Sequence, residues 1–134
     1  MPHCVILYTP NVEPKTDMGA LCRRLADTML TVLDEQGRQV FPTGGTRVLA
    51  YPAAHYAVAD GKGDYAFVYI NVRMGTGRSQ AVQKDAGDRL LQVVKDHFAP
   101  IFDRERIGIT LQIDESPGQV YDAKHSSLHP LFNK

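Results

Sequence analysis

The chain has 134 residues, of which 43% are hydrophobic, and 15 basic residues balance 15 acidic ones, so its formal net charge at pH 7 is zero. This length is typical of one domain with a hydrophobic core, and the balanced charge argues against a protein that binds nucleic acid or a membrane surface. The sequence has neither a signal-peptide pattern nor an apolar run of the roughly 18 residues that a membrane span needs, so we expect a cytoplasmic protein.

The first predicted element is a short buried strand close to the N-terminus. Apolar residues run from Cys4 to Tyr8, and Pro2 stands between them and the initiator methionine. If the methionine is removed, Pro2 carries a secondary amine at the end of this strand. Desolvation favours the neutral form of an amine, which is the form that accepts a proton. Pro2 is therefore a candidate general base, although a small residue in this position also serves simply to permit methionine removal.

A helix and a second strand follow. Apolar residues at three- and four-residue spacings over residues 18–33 predict a helix, with Asp17 as its N-cap and Gly37 at its end. An extended segment over residues 46–51 comes next, and Arg47 lies near its beginning. This order predicts a strand-helix-strand unit.

The second half of the chain has the same order of elements. The nearly continuous apolar stretch 65–73 predicts a central strand covered on both faces. The apolar spacing over residues 82–98 predicts a helix that Ser79 caps and that ends before Pro100. Alternating apolar and polar residues over 107–114 predict a last strand with one buried face.

These two units predict a duplicated βαβ fold within one domain. In each unit the strand after the helix begins at nearly the same number of residues beyond the helix cap, which is Asp17 in the first unit and Ser79 in the second. The units then span about residues 1–56 and 60–115, and a C-terminal tail covers 116–134. Right-handed crossovers put both helices on one face of a four-stranded sheet, an α/β (α+β) architecture. A chain of this length has no further layer for the opposite face, so we expect other copies of the chain to cover it.

Several short motifs of this sequence occur together in one known family. They are Pro2-His3, Phe41-Pro42 with Gly45 and Arg47, Ala59-Asp60-Gly61, Asp64-Tyr65-Ala66-Phe67-Val68, Gly75-x-Gly77-Arg78-Ser79, His97-Phe98-Ala99 and Leu128-His129-x-Leu131-Phe132. In their order and spacing, the chain resembles the 5-carboxymethyl-2-hydroxymuconate isomerase family of the tautomerase superfamily over nearly its whole length. The resemblance implies a tautomerase-like fold of two βαβ units and a homotrimer.

The resemblance also implies a reaction and its residues. The N-terminal proline of that family, matched here by Pro2, moves a proton from the 2-hydroxyl of a dienol to carbon without a cofactor. The implied substrate is an unsaturated hydroxy or oxo polycarboxylate from the catabolism of an aromatic compound, homoprotocatechuate. Arg47 and Arg78 match the arginines that bind its carboxylates, a task that suits the planar guanidinium. Some members have a further arginine where this chain has Leu49.

Other interpretations of these residues remain open. Arg47 and Arg78 could be solvated surface charges, and a non-catalytic oligomeric binding or scaffold protein could keep the fold without using Pro2. The glycines of residues 75–79 could form a nucleotide loop, but the third glycine of the dinucleotide pattern and a Gly-Lys-Ser/Thr sequence are both absent there.

The remaining polar candidates favour structural roles. The five histidines lack metal-ligand spacing, so we expect no metal and no cofactor. His97 lies on the apolar stripe of the second helix, where a core role is more common than a catalytic one. Cys4 and Cys22 lie in apolar patterns and predict small buried hydrophobes. Tyr8 and Phe67 could line an apolar pocket near the N-terminus, but packing in the core is the favoured role.

Overall fold

The structure is a computed structural model that describes residues 3–132. The strands are β1 (His3–Tyr8), β2 (Val48–Pro52), β3 (Tyr65–Met74) and β4 (Arg106–Glu115), and the helices are α1 (Met18–Met29), α2 (Gln80–Phe102) and the short α3 (His129–Phe132). Two 3₁₀ turns lie at Pro10–Val12 and Thr43–Gly45. The candidate base Pro2 lies outside the described residues.

The four strands form one sheet in the order β2-β1-β3-β4. β1 and β2 are parallel and are joined through α1, and β3 and β4 are parallel and are joined through α2. The two units meet through the antiparallel pair β1 and β3. The predicted four-stranded sheet with two main helices is therefore confirmed, whereas the duplication of 1–56 in 60–115 stays a prediction.

One face of the sheet carries the core. Alternate residues of β1 and β3 point to the helices and are fully buried, among them Ile6 and Val68, and they pack against helix residues such as Leu25 and Leu90. The isoleucines of β4 pack against the same cluster, as the alternation over residues 107–114 predicted. Burying these side chains supplies the main favourable term of folding.

The other face of the sheet is open in the single chain. Leu7, Leu49, Tyr51 and Phe67 are 38–50% exposed there. β3 is central, as predicted, but its burial alternates along the strand. Within the single chain β3 is covered on one face only, because both long helices pack on the same side, and coverage of its other face by further copies stays a prediction. The apolar residues on the open side of β3 are the reason that its sequence is almost continuously apolar although its burial alternates.

Both helices end differently from the prediction. Asp17 caps α1, its Oδ1 accepting the N–H of Ala20 at 2.9 Å, but the helix ends at Met29. Val32 lies beyond that end, where its carbonyl accepts the N–H of Val40 at 3.0 Å and its side chain is buried. A buried apolar residue at this position continues the helical spacing in the sequence although the helix has ended. Gly37 therefore does not end the helix. It occupies a turn with a φ of 75°, a conformation that favours glycine.

Helix α2 begins as predicted and ends later. Ser79 caps it, its Oγ accepting the N–H of Val82 at 3.2 Å. The helix passes through Pro100 and reaches Phe102, so the expected end before the proline is wrong. Buried Phe98 and Ile101 hold this last turn against the core. Among the helices of residues 3–132, none has the length and apolar character that crossing a bilayer requires.

Candidate active site

The candidate residues converge on one edge of the sheet because of the strand directions. β1 and β2 begin at this edge, where Cys4 pairs with Val48. β3 and β4 end there, where His3 pairs with Arg73. Pro2 is bonded to His3, the first residue of β1. Arg47 immediately precedes β2, and Arg78 lies in the loop that follows β3 at the same edge. We call this edge, with Arg47, Arg78 and residues 40–45, the N-edge.

Arg47 is tied to the start of β1 through its backbone. Its carbonyl accepts the N–H of Cys4 at 2.9 Å. The preceding turn is closed locally, because the N–H of Gly45 and the hydroxyl of Thr46 both donate to the carbonyl of Pro42, at 3.1 and 2.8 Å. The Arg47 side chain is exposed, so its main chain is fixed while its guanidinium reaches solvent.

A cavity of about 480 Å³ adjoins Arg47. Its walls come from α1, from the turn before β2 and from the end of α3: Cys22, Arg23, Ala26, Leu30, Thr43, Thr46, Val48 and Phe132. Two arginines and two threonines give this cavity hydrogen-bond donors, and its other walls are mostly apolar. Such a lining suits an organic anion better than a wholly apolar ligand.

Arg78 is held more firmly than Arg47. Its Nη2 donates to the carbonyl of Val40 at 3.2 Å, and its Nε is buried without a hydrogen-bond partner within residues 3–132. The next residue, Ser79, caps α2 and also donates from its hydroxyl to Glu35 at 2.6 Å. Arg78 therefore leaves the loop before α2 with its side chain directed at the backbone of residue 40.

The charges at the N-edge favour an anion. Across the described part of the chain, neither Arg47 nor Arg78 forms an ion pair with a carboxylate. Asp34 accepts the backbone N–H of Arg38, which lowers the pKa of Asp34, and the charges of Arg38 and Arg78 add to this lowering. Arg47 and Arg78 are thus two cations at the N-edge without a paired carboxylate among residues 3–132.

The thiol closest to this edge does not suit nucleophilic chemistry. Cys4 is fully buried, and burial raises the pKa of its thiol to about 12. The reactive form of a cysteine is the thiolate, so Cys4 is inert at neutral pH. Cys22 is partly buried, and burial also raises the pKa of its thiol. The prediction that both cysteines act as small hydrophobes is confirmed by their packing in or against the core.

Tyr8 and Phe67 lie at the opposite edge of the sheet. β1 rises about 3.3 Å per residue, so Tyr8 is roughly 17 Å along the strand from His3. Its hydroxyl donates to Glu13, and burial followed by this bond raises the pKa of Tyr8 to about 12. Both residues line a separate cavity of about 760 Å³. Tyr8 is a core residue, as favoured, whereas Phe67 is 38% exposed on the open face.

His97 joins the two long helices rather than the site. Its Nε2 lies 2.9 Å from the hydroxyl of Thr16, and its Nδ1 lies 3.2 Å from Nη1 of Arg24. Since a guanidinium only donates, Nδ1 accepts and Nε2 carries the proton. Burial, and then the charge of Arg24, lowers the pKa of His97. The favoured structural role of His97 fits these contacts.

Sequence reasoning did not identify two features of the N-edge. The first is the carbonyl of Val40, which accepts from Arg78, and no side-chain pattern marks a backbone acceptor. The second is Phe132, which lines the cavity of Arg47. The motif at residues 128–132 was visible in the sequence, but its position in space depends on how the tail folds back.

Comparisons with known proteins agree on one family. The sequence model of the 5-carboxymethyl-2-hydroxymuconate isomerase family matches residues 2–132. A crystal structure of a 5-carboxymethyl-2-hydroxymuconate delta-isomerase is 57% identical, with a TM-score of 0.94 and coverage of 100% of this chain and 94% of that one. A 5-carboxymethyl-2-hydroxymuconate isomerase from Deinococcus radiodurans R1 is 32% identical, with a TM-score of 0.85 and coverage of 99% and 95%.

More distant relatives extend the likeness. The Escherichia coli 5-carboxymethyl-2-hydroxymuconate Delta-isomerase is 26% identical over 132 residues, which are 98% of this chain and 99% of that protein. A fused 4-OT protein, solved as a symmetric trimer, shares the fold alone, at 20% identity and a TM-score of 0.52 with coverage of 96% and 97%. Trimers therefore occur among proteins of this fold.

Proposed function

The chain belongs to the 5-carboxymethyl-2-hydroxymuconate isomerase family, a family of isomerases within the tautomerase superfamily, and we propose that it isomerises a dienol polycarboxylate with the amine of Pro2 as its general base. The observation that carries this proposal is the pair of cations, Arg47 and Arg78, that lie without carboxylate partners among the described residues at the edge where β1 begins. The substrate we propose is 5-carboxymethyl-2-hydroxymuconate or a close analogue, from the catabolism of homoprotocatechuate.

The proposed reaction moves one proton and changes no oxidation state overall. The neutral amine of Pro2 takes the proton of the 2-hydroxyl, and the oxygen lone pair becomes the second bond of a carbonyl. The conjugated double bonds shift, and the resulting ammonium of Pro2 returns the proton to the far carbon of the diene. Each step needs only a base of suitable pKa within reach of oxygen and carbon.

The two arginines supply charge to this reaction. We assign Arg47 and Arg78 to the carboxylates of the substrate, each as a donor of charge-assisted hydrogen bonds. The same two cations, already oriented before the reaction, stabilise the negative charge that builds up on the dienolate. A nearby positive charge also disfavours the protonated amine, which lowers the pKa of an amino group toward neutrality.

We further propose that the active protein is a homotrimer. The open face of the sheet exposes Leu7, Leu49, Tyr51 and Phe67, and large apolar patches of this kind mark interaction surfaces. Trimeric relatives of the same fold support this stoichiometry. The N-edge lies at the rim of that face, so assembly would bring neighbouring chains close to it.

An isomerase assay distinguishes this proposal from a non-catalytic scaffold. Protein whose N-terminus is verified as Pro2 is mixed with 5-carboxymethyl-2-hydroxymuconate, and the loss of the dienol absorbance is followed. The proposal predicts catalytic turnover, with kcat/KM falling when the substrate lacks carboxylates. A scaffold protein of the same fold predicts no turnover above the uncatalysed rate, even when the protein is fully processed and trimeric.

A further inference from the structure

The short helix α3 fits closely against the Thr43–Gly45 turn. The approach is tightest at Gly44, where an added Cβ atom would lie 3.1 Å from the Cα of His129 and 3.5 Å from its ring. That contact is tighter than side chains normally tolerate, and its partner is a backbone atom that cannot move apart from α3. A glycine at position 44 thus allows the turn and α3 to touch.

The chain before α3 fixes the orientation of His129. The hydroxyl oxygen of Ser126 accepts the N–H groups of Leu128 at 3.0 Å and His129 at 3.3 Å. It also lies 2.9 Å from Nδ1 of the His129 ring. These bonds order the start of α3 where it meets the turn, although a helix of four residues has little stability of its own.

The same turn leads directly to Arg47. The N–H of Thr46 donates to the carbonyl of Thr43 at 3.4 Å, so the turn continues up to the residue before the arginine. At its other end, α3 reaches the cavity that Arg47 lines, since Phe132 forms part of the same wall. Helix α3 therefore contacts the turn that precedes Arg47 and shares a cavity lining with Arg47.

We infer that α3 is a positioning element for Arg47, in which His129 fixes the turn through Gly44 and Phe132 closes the cavity beside the guanidinium. In this role the C-terminal helix determines how tightly the carboxylate at Arg47 is held. Neither residue is assigned a contact with the reacting atoms. The inference rests on the proposed function, because it requires Arg47 to bind a substrate carboxylate.

The first test is a pair of substitutions measured by steady-state kinetics. Gly44→Ala pushes α3 away from the turn, and we expect KM for 5-carboxymethyl-2-hydroxymuconate to rise about tenfold, as for a small displacement of a positioning group. The rise in KM should be larger than any fall in kcat, since the substitution displaces a group that binds a carboxylate and leaves the attachment of the base to β1 unchanged. The control is Gly87→Ala in α2, where the new Cβ meets only Ile113 Cδ1 at an ordinary 3.5 Å.

A second variant tests the inference independently in case Gly44→Ala misfolds. Phe132→Ala removes the cavity wall at a half-exposed position and should raise KM in the same direction, whereas Phe132→Leu should restore it. A role confined to stability would instead lower Tm in Gly44→Ala and Phe132→Ala and leave KM unchanged. That result would overturn the inference.

A double-mutant cycle then asks whether the effect passes through Arg47. In an Arg47→Ala background, Gly44→Ala should change kcat/KM hardly at all, because the group that it positions is gone. Full additivity of the two effects would overturn the inference while leaving the proposed function intact. If Arg47→Ala alone leaves KM unchanged, then the carboxylate role of Arg47 is wrong, and the inference fails together with it.

Discussion

The backbone N–H of Cys4 donates to the carbonyl of Arg47 across 2.9 Å. This bond connects the starts of β1 and β2 at the N-edge, because Cys4 is two residues from Pro2 and Arg47 immediately precedes β2. His3, to which the proposed base Pro2 is bonded, begins β1, and Arg47 immediately precedes β2. The neighbours of both proposed site residues therefore belong to adjacent parallel strands, and a site that needs fixed geometry benefits from such support.

Removing the cations tests the carboxylate assignment. Arg78→Ala should lower kcat/KM, because a partly buried charge-assisted contact is lost. The expected loss corresponds to about 2–4 kcal/mol of transition-state stabilisation. Arg47→Ala should act in the same direction, but less strongly because Arg47 is exposed. Steady-state kinetics with tricarboxylate and dicarboxylate dienols measure both. Arg78→Lys keeps the charge but loses the fork of donors and should recover only part of the rate.

The matched control for these variants is Arg89→Ala. Arg89 is an exposed arginine of α2 that pairs with Asp85 at 3.0 Å, away from the N-edge. Its removal should leave kcat/KM within a factor of about two, since an exposed ion pair contributes little. Equal losses in Arg78→Ala and Arg89→Ala would show that Arg78 is merely a surface charge.

A charge on the open sheet face tests the assembly. Leu7→Glu places a carboxylate at a site that is 48% exposed in the single chain. Burial of an unpaired charge between copies would cost roughly several kcal/mol, so the trimer should dissociate. Light scattering measures the mass in solution. Leu33→Glu makes the same change at a 51% exposed leucine away from the sheet and should remain trimeric. A monomeric wild-type chain, or a Leu7→Glu variant that assembles normally, would contradict the proposed trimer.

The contacts of His97 predict a pH-dependent stability. Its folded-state pKa is lowered by burial and by Arg24, while Asp17 opposes the shift. The unfolded chain therefore binds more protons here, so the free energy of unfolding should fall as the pH decreases through about 6.5 toward the lowered pKa. Urea titrations at pH 7.5 and pH 5 measure this loss.

The His97→Gln variant should show a weaker pH dependence over this interval, because glutamine does not titrate. His125→Gln changes an exposed histidine of the tail and serves as the control. If His97→Gln loses as much stability between the two pH values as the wild type does, His97 is not the titrating group.

The sequence predicted the order of the elements because periodicity reports which face is buried. Both caps, Asp17 and Ser79, were found from residue type alone, since a short polar side chain before an apolar stripe satisfies the first N–H groups of a helix. The ends of the helices were harder to predict. Buried Val32 belongs to a loop that folds back on the core, and Pro100 fits within the last turn of α2. Both depend on tertiary contacts that a local pattern does not contain.

The candidate site depends on a related signal. Motifs marked Arg47 and Arg78 as candidates, and the pairing of strands explains why elements far apart in the chain share one edge, whereas the roles of both arginines stay predictions. The Val40 carbonyl and the docking of α3 on Gly44 were not predictable, because they are backbone relations without a side-chain signature. Phe67 was placed wrongly in the core, since an apolar residue on an open sheet face looks the same in sequence as a buried one.

The N-terminus provides the most direct test of the central claim, that the amine of Pro2 is the general base. A free α-amino group has a pKa of about 7.7–8.0, whereas a retained methionine converts the proline nitrogen into an amide with no basic lone pair. Mass spectrometry of each preparation gives the fraction of chains that begin at Pro2, and the isomerase assay gives the rate. We predict that the rate rises in proportion to this fraction and vanishes when Met1 is fully retained. Equal turnover by fully retained and fully processed protein would contradict the mechanism.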